Sequence, residues 1–322
     1  MAKAPSIEDR LAEVSRLGEL PDTPDARKQL QKHLSSRNSL IVAKAAEIIA
    51  HLENHELVPD LIAAFHRFMI DSTKTDKGCA AKTAIVKALL AAECDDEEVF
   101  RKGIRHVQPE PTWGGRADTA APLRALCGLG LVQSGSPDAM NELAALLADK
   151  EGDARIGAAR ALSHCGPAAV PLLRFKALTG DEEPAVLAEC LSGLLASMPS
   201  ASFEFVAGFV DTRHPALYEH AALALAESRL PGVFELLLEK WTTTFDREFK
   251  QTLLVPMALT RSEAARDFLI SVLESGELKL GNAAIAALSI YREDATIRKR
   301  AEEAIGGPNK GELLAALRRA FE

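Results

Sequence analysis

An Ala-Leu helix pattern returns through this chain every thirty-odd residues, most clearly in Asp153-Ala-Arg-Ile-Gly-Ala-Ala-Arg-Ala-Leu162 and the SHCGPAAVPLL that follows to Leu173. A fixed period of this length belongs to stacked helical repeats, each of which buries its apolar face only against its neighbours. Aligning on the apolar pair that closes the second helix of each unit gives anchors at Leu52, Leu89, Leu126, Leu162, Leu194, Leu225, Leu259 and Leu288. They lie roughly 29 to 37 residues apart, the range of one helical hairpin. The expected fold is therefore all-α, an α-α superhelix of about eight hairpins.

Segments ending at the anchors, such as AKTAIVKAL and RIGAARAL, are rich in alanine, which lets inner helices approach closely while Leu and Ile at i, i+3 and i+4 supply burial. Partner helices with a wider apolar stripe alternate with them, for example ELVPDLIAAFHRFM and EAARDFLISVLES. Proline stands near expected first turns at Thr23-Pro24, Ser136-Pro137, Gly166-Pro167, Glu183-Pro184, His214-Pro215 and Leu230-Pro231. Asn38, Asp118 and Asp153 are candidate N-caps of inner helices. Ser6-Ile7-Glu8-Asp9 has the form of a capping box. These signals predict one continuous body over 1–322, with a cap helix at 1–21, repeats at 22–291 and cap helices at 292–322. Any break is expected near the Pro/Gly-containing stretch 108–117.

Aromatics make up only 5% of the 322 residues against 47% apolar, so Leu, Ala, Ile and Val must supply the core. A net charge of −8 works against a sequence-independent grip on a nucleic-acid backbone. No apolar run reaches the roughly 18 residues of a membrane span. The first twenty residues read as a short amphipathic helix rather than a secretory signal, which predicts a cytoplasmic protein. Five scattered cysteines lack zinc spacing and are expected to be small buried hydrophobes. His51/His55 and His214/His220 straddle helix ends, so no metal is expected, and no cofactor.

The Asp153–Leu173 pattern, with Arg155, paired Ala158 and Ala159, Ala161-Leu162, the turn at Gly166 and then Pro171-Leu172-Leu173, resembles the HEAT repeat. The resemblance is to the short bacterial form found in phycobilin-lyase-like HEAT proteins, and degenerate copies cover nearly the whole chain. It implies a non-catalytic scaffold or adaptor that holds a protein or peptide along a concave face made by the inner helices. The same resemblance leaves two alternatives: a HEAT-like DNA glycosylase acting on alkylated bases, here with Trp113 and Asp118, and a tetrapyrrole-lyase-type subunit.

The most irregular segment is QPEPTWGGRAD, Gln108 to Asp118, a long link between the two helices of the third hairpin. Compact helix pairs usually need about 2 to 8 residues there. The preceding hairpin has an extended link at Asp71–Asp76, so both links are expected on one edge. Trp113 and Arg116 are candidates for a recognition spot, since aromatic and Arg anchors dominate interface energetics. The competing reading folds Trp113 back onto the helices, pairs Arg116 with a carboxylate and makes Gly114-Gly115 a flexible turn leading to Asp118. That turn follows no predicted strand and lacks the GxxxxGK[ST] pattern of a phosphate loop. Lys82, Arg124 and Arg155 on the inner helices are expected to line a mildly basic concave face that steers an acidic peptide.

Overall fold

The computed structural model describes residues 6–52, 55–211 and 217–322. Apart from one two-stranded ribbon, the regular elements among them are helical, and they fall into two compact units, Met1–Cys165 and Gly166–Glu322. The stretch 108–117 lies inside the first unit. Helix starts at Thr23 and Asn38 follow the cap rules, because Thr23 accepts the Ala26 amide and Asn38 the Leu40 and Ile41 amides. Ser6 and Asp9 form the expected capping box. Asp153 is not an N-cap: Glu151 holds that position, and Asp153 sits in the first turn. The expected start at His214-Pro215 lies outside the described residues.

The first unit runs α1 (Ile7–Leu17), α2 (Pro24–Leu34), α3 (Ser39–Leu52), α4 (Val58–Met69), the single turn α5 (Ser72–Thr75), α6 (Ala80–Ala91), α7 (Glu97–Ile104), β1 (Pro109–Thr112), β2 (Gly115–Asp118), α8 (Ala121–Gln133), α9 (Ala139–Leu146) and α10 (Gly152–Ser163). Helices α1, α3, α6, α8 and α10 stack in sequence as an inner row, while α2, α4, α7 and α9 pack beside them as an outer row. Of these inner helices α3, α6, α8 and α10 carry the alanine pattern. Its consequence is plain at Gly157, where an added Cβ would lie 2.2 Å from the Ala125 Cβ and 2.6 Å from its Cα.

Backbone cannot yield there as a flexible side chain would, so Gly157→Ala must push α8 and α10 apart. Overpacking of this kind costs about 1–3 kcal/mol, which outweighs the roughly 1 kcal/mol that alanine gains in helix propensity. The expected result is a lower urea midpoint with an unchanged slope. A midpoint above that of the parent protein would show that the helices do not meet at Gly157.

The second unit runs α11 (Val170–Thr179), α12 (Pro184–Ser197), α13 (Pro199–Ala207), α14 (Tyr218–Ser228), α15 (Val233–Thr243), α16 (Arg247–Leu259), α17 (Glu263–Glu274), α18 (Leu278–Leu288), α19 (Ala295–Ala304) and α20 (Lys310–Ala320). Here α12, α14, α16, α18 and α20 form the inner stack, with α11, α13, α15 and α17 packed against it. The two units together contain the expected eight outer–inner pairs, preceded by α1 and followed by α19 and α20. The chain is an all-α solenoid of helical repeats. The best copy of the repeat, Asp153–Leu173, contributes α10 to one unit and the start of α11 to the other.

Candidate docking site at the linked edge of the first unit

The two long links do meet. Gln108 is fully buried and its side-chain amide donates to the Asp76 carbonyl at 2.7 Å and to Glu110 Oε1 at 2.6 Å. The same Glu110 oxygen accepts the Gly78 amide at 2.8 Å and the Thr119 hydroxyl at 3.2 Å. The α4–α6 link and the α7–α8 link are thus joined through one glutamine and one glutamate. The Gln108 amide chiefly holds the Glu110 carboxyl below its ordinary range, burial opposes, and the Gly78 and Thr119 donors add to the lowering. Burial pushes the neighbouring His106 imidazole down, against a hydrogen bond with Gln108.

Three acidic residues stand six positions before a cation in successive hairpins, as Asp76/Lys82, Asp118/Arg124 and Asp149/Arg155. Asp76 and Lys82 are both 0% exposed, with Lys82 Nζ 2.8 Å from Asp76 Oδ2. Asp76 also accepts the Ala81 and Lys82 amides at 2.9 and 3.1 Å, capping α6 from a distance. Arg124 donates through Nη1 to Asp118 at 2.6 Å and to the His106 carbonyl at 2.9 Å, and forks onto Asp149 with two bonds of 2.8 Å. Arg155 Nη1 donates to the Asp149 and Lys150 carbonyls, each at 2.9 Å. One guanidinium therefore ties the third hairpin to the fourth.

Lys82, Arg124 and Arg155 were expected to face a partner, and all three turn inward instead. The reason is local: each cation begins an inner helix just after a link that delivers a carboxylate to the same interior space. The mark of this was present as the repeated spacing of six, which the helix-face reading of single segments passes over. Asp118 is not the N-cap of α8 either; Ala120 occupies that position. Asp118 closes β2, accepting the Gln108 amide at 2.8 Å and the Ala120 amide at 3.0 Å. Burial pushes its carboxyl up, but the Gln108 and Ala120 amides and Arg124 together hold it below the ordinary range.

Gly114-Gly115 is not a flexible turn but part of a β-hairpin. Its register pairs Pro109 with Asp118, Glu110 with Ala117, Pro111 with Arg116 and Thr112 with Gly115, leaving Trp113 and Gly114 as the loop. Gly114 has φ +98°, the sign required at the third position of a type II turn, where a side chain would be strained. Trp113 is fully exposed at the tip, and the Arg116 guanidinium donates to the Pro109 carbonyl at 2.9 Å rather than to a carboxylate. Ile70 and Val107, at the starts of the two links, are also largely exposed.

Strands of four residues rising about 3.4 Å each separate the Trp113 tip from the hairpin base by roughly 14 Å. Trp113 and Asp118 therefore do not form one pocket, and Asp118 is already bound by Arg124. The glycosylase constellation is not assembled. Among the described residues no group of three or more His, Cys, Asp and Glu is placed to hold a metal ion, and no helix is long and apolar enough to cross a membrane.

No family model matches the sequence, and no curated protein does. Solved structures do match in fold. A chain in the complex of CpcE and CpcF of phycocyanin lyase from Nostoc sp. PCC7120 aligns at 16% identity over 76% of this chain and 92% of its own, with a TM-score of 0.37. An engineered protein aligns at 16% identity over 99% of this chain and 95% of its own, with a TM-score of 0.35. The chain is similar to helical repeat proteins. The expectation of a non-catalytic chain is corrected here, since the first of these matches belongs to a phycocyanin lyase complex.

Proposed function

We propose that this chain binds a protein partner through the linked edge of its first unit, with Trp113 as the anchor and Arg116, Ile70 and Val107 around it. The observation that carries this reading is a fully exposed indole at the tip of a hairpin whose base is tied down by buried polar groups. Left in water, the indole adds nothing to folding by burial. Buried in a partner's pocket it is worth several kcal/mol, and a hairpin already ordered loses little further entropy on docking. The HEAT-like character of the Asp153–Leu173 repeat is part of the same reading. It supports a role in protein assembly, although the edge rather than the inner-helix face supplies the contact.

Partners captured from the native cell should cross-link near the hairpin. Trp113→Ala is expected to weaken capture about thirtyfold, corresponding to roughly 2 kcal/mol at an interface anchor. Its melting temperature should stay within about 1 °C, because surface changes away from structural features are nearly neutral. A marked loss of stability with capture intact would overturn the docking role.

A further inference from the structure

In the second unit, arginine stands in the turn after each of three consecutive inner helices: Arg229 after α14, Arg261 after α16 and Arg292 after α18. Two of them hold left-handed backbone, with φ of 53° at Arg229 and 57° at Arg261. That conformation disfavours any residue with a Cβ, and the turn after α8 in the first unit fills it with Gly135 at φ 68°. Arginine takes this position twice, where the turn after α6 has Glu93 at φ 48°. None of the three arginines has an ion-pair partner among the described residues, whereas Arg247, Arg298 and Arg300 of the same unit do.

Arg261 and Arg292 open onto one groove of about 780 Å³, with Ser289 and Tyr291 in its wall. Tyr291 is held in place by donating to the Ala258 carbonyl at 2.5 Å. Two acidic residues also line the groove, but Asp294 is engaged in capping α19 through the Thr296 and Ile297 amides, which leaves Glu293 against two guanidinium groups. The α14–α16 and α16–α18 pairs pack directly. Packed helices lie about 8–10 Å apart, so successive arginines recur at about that interval. A polyproline II peptide covers about the same distance in three residues at about 3.1 Å each, and its threefold period returns every third side chain to one face.

We propose that Arg229, Arg261 and Arg292 bind an acidic peptide in polyproline II conformation whose carboxylates recur every third residue, each taken by a guanidinium fork. A carboxylate on every third residue fits this row better than a phosphodiester strand, whose closely spaced charges would meet Glu293 in the same groove. This arginine row is independent of the Trp113 site, belonging to another unit and offering another chemistry.

The test uses the full chain and a fluorescent twelve-residue Gly/Ser peptide with glutamate at every third position. A second peptide of the same composition with its four glutamates adjacent, and a twelve-residue oligothymidylate, serve as comparisons. Tight binding is expected for the spaced peptide, falling with added salt, and each of Arg261→Ala and Arg292→Ala should weaken it about tenfold. Arg261→Gly should weaken it equally while leaving the melting temperature unchanged or raised, which separates lost recognition from lost folding. Equal binding of the spaced and adjacent peptides, tighter binding of the oligothymidylate, or no change in any variant would overturn the proposal.

Discussion

Lys82→Ala is expected to destabilise the protein by about 3–5 kcal/mol, the usual cost of removing one partner from a buried ion pair. The size follows from what remains. Asp76 stays 0% exposed, and its carboxylate keeps only the Ala81 and Lys82 amides, having lost an ammonium group at 2.8 Å. Water cannot reach it without opening the α4–α6 link, and Gln108 bonds the Asp76 carbonyl from the other link. Urea denaturation at neutral pH should show the loss directly. A double variant, Asp76→Asn with Lys82→Met, retains an acceptor for the Ala81 amide and buries no charge. It should be markedly more stable than Lys82→Ala, because the cost of a buried pair lies in its desolvation. A loss below about 1 kcal/mol for Lys82→Ala would mean that the pair is hydrated in solution.

Arg124→Ala should cost a similar amount, about 3–5 kcal/mol, but with a different dependence on pH. Its guanidinium neutralises two carboxylates, Asp118 within its own hairpin and Asp149 in the next. Without it, burial at Asp118 is opposed only by the amides of Gln108 and Ala120. In the parent protein the Asp118 carboxyl is lowered in the folded state, so its contribution is present above the unfolded value of about 3.9 and is lost as pH falls through the folded one. The gap between parent and variant should therefore be widest at neutral pH and narrow below about pH 4. Amide exchange supplies a local check. The Thr119 amide, which donates to the Gln108 carbonyl at the hairpin base, should exchange faster in Arg124→Ala. A gap that stays constant across this range would assign the loss to packing instead of charge.

The inner helices and the caps at Ser6, Thr23 and Asn38 were legible because each depends on residues within a few positions of one another. The same holds for the long links, which showed as excess residues between regular helices. The hairpin was not legible. Pro109-Glu110-Pro111-Thr112 and Gly115-Arg116-Ala117-Asp118 have poor strand propensity, and neighbouring groups on the other link bring them into register. Trp113 was singled out from the sequence, but only the turn at Gly114 settles that it points away from the helices.

Lys82 marks the boundary most sharply. Its segment, AKTAIVKAL, determines a helix and the spacing of its apolar face, and eight such segments determine a stack, because a period near thirty-odd residues has no other way to bury its leucines. Whether a lysine on that helix faces solvent or interior depends on where the preceding link places Asp76, and that link turns through left-handed backbone at Asp71 and Cys79. Periodicity along the chain decided which elements form. The direction of each charge was decided in three dimensions, since burying a cation is favourable only where a carboxylate is already held beside it.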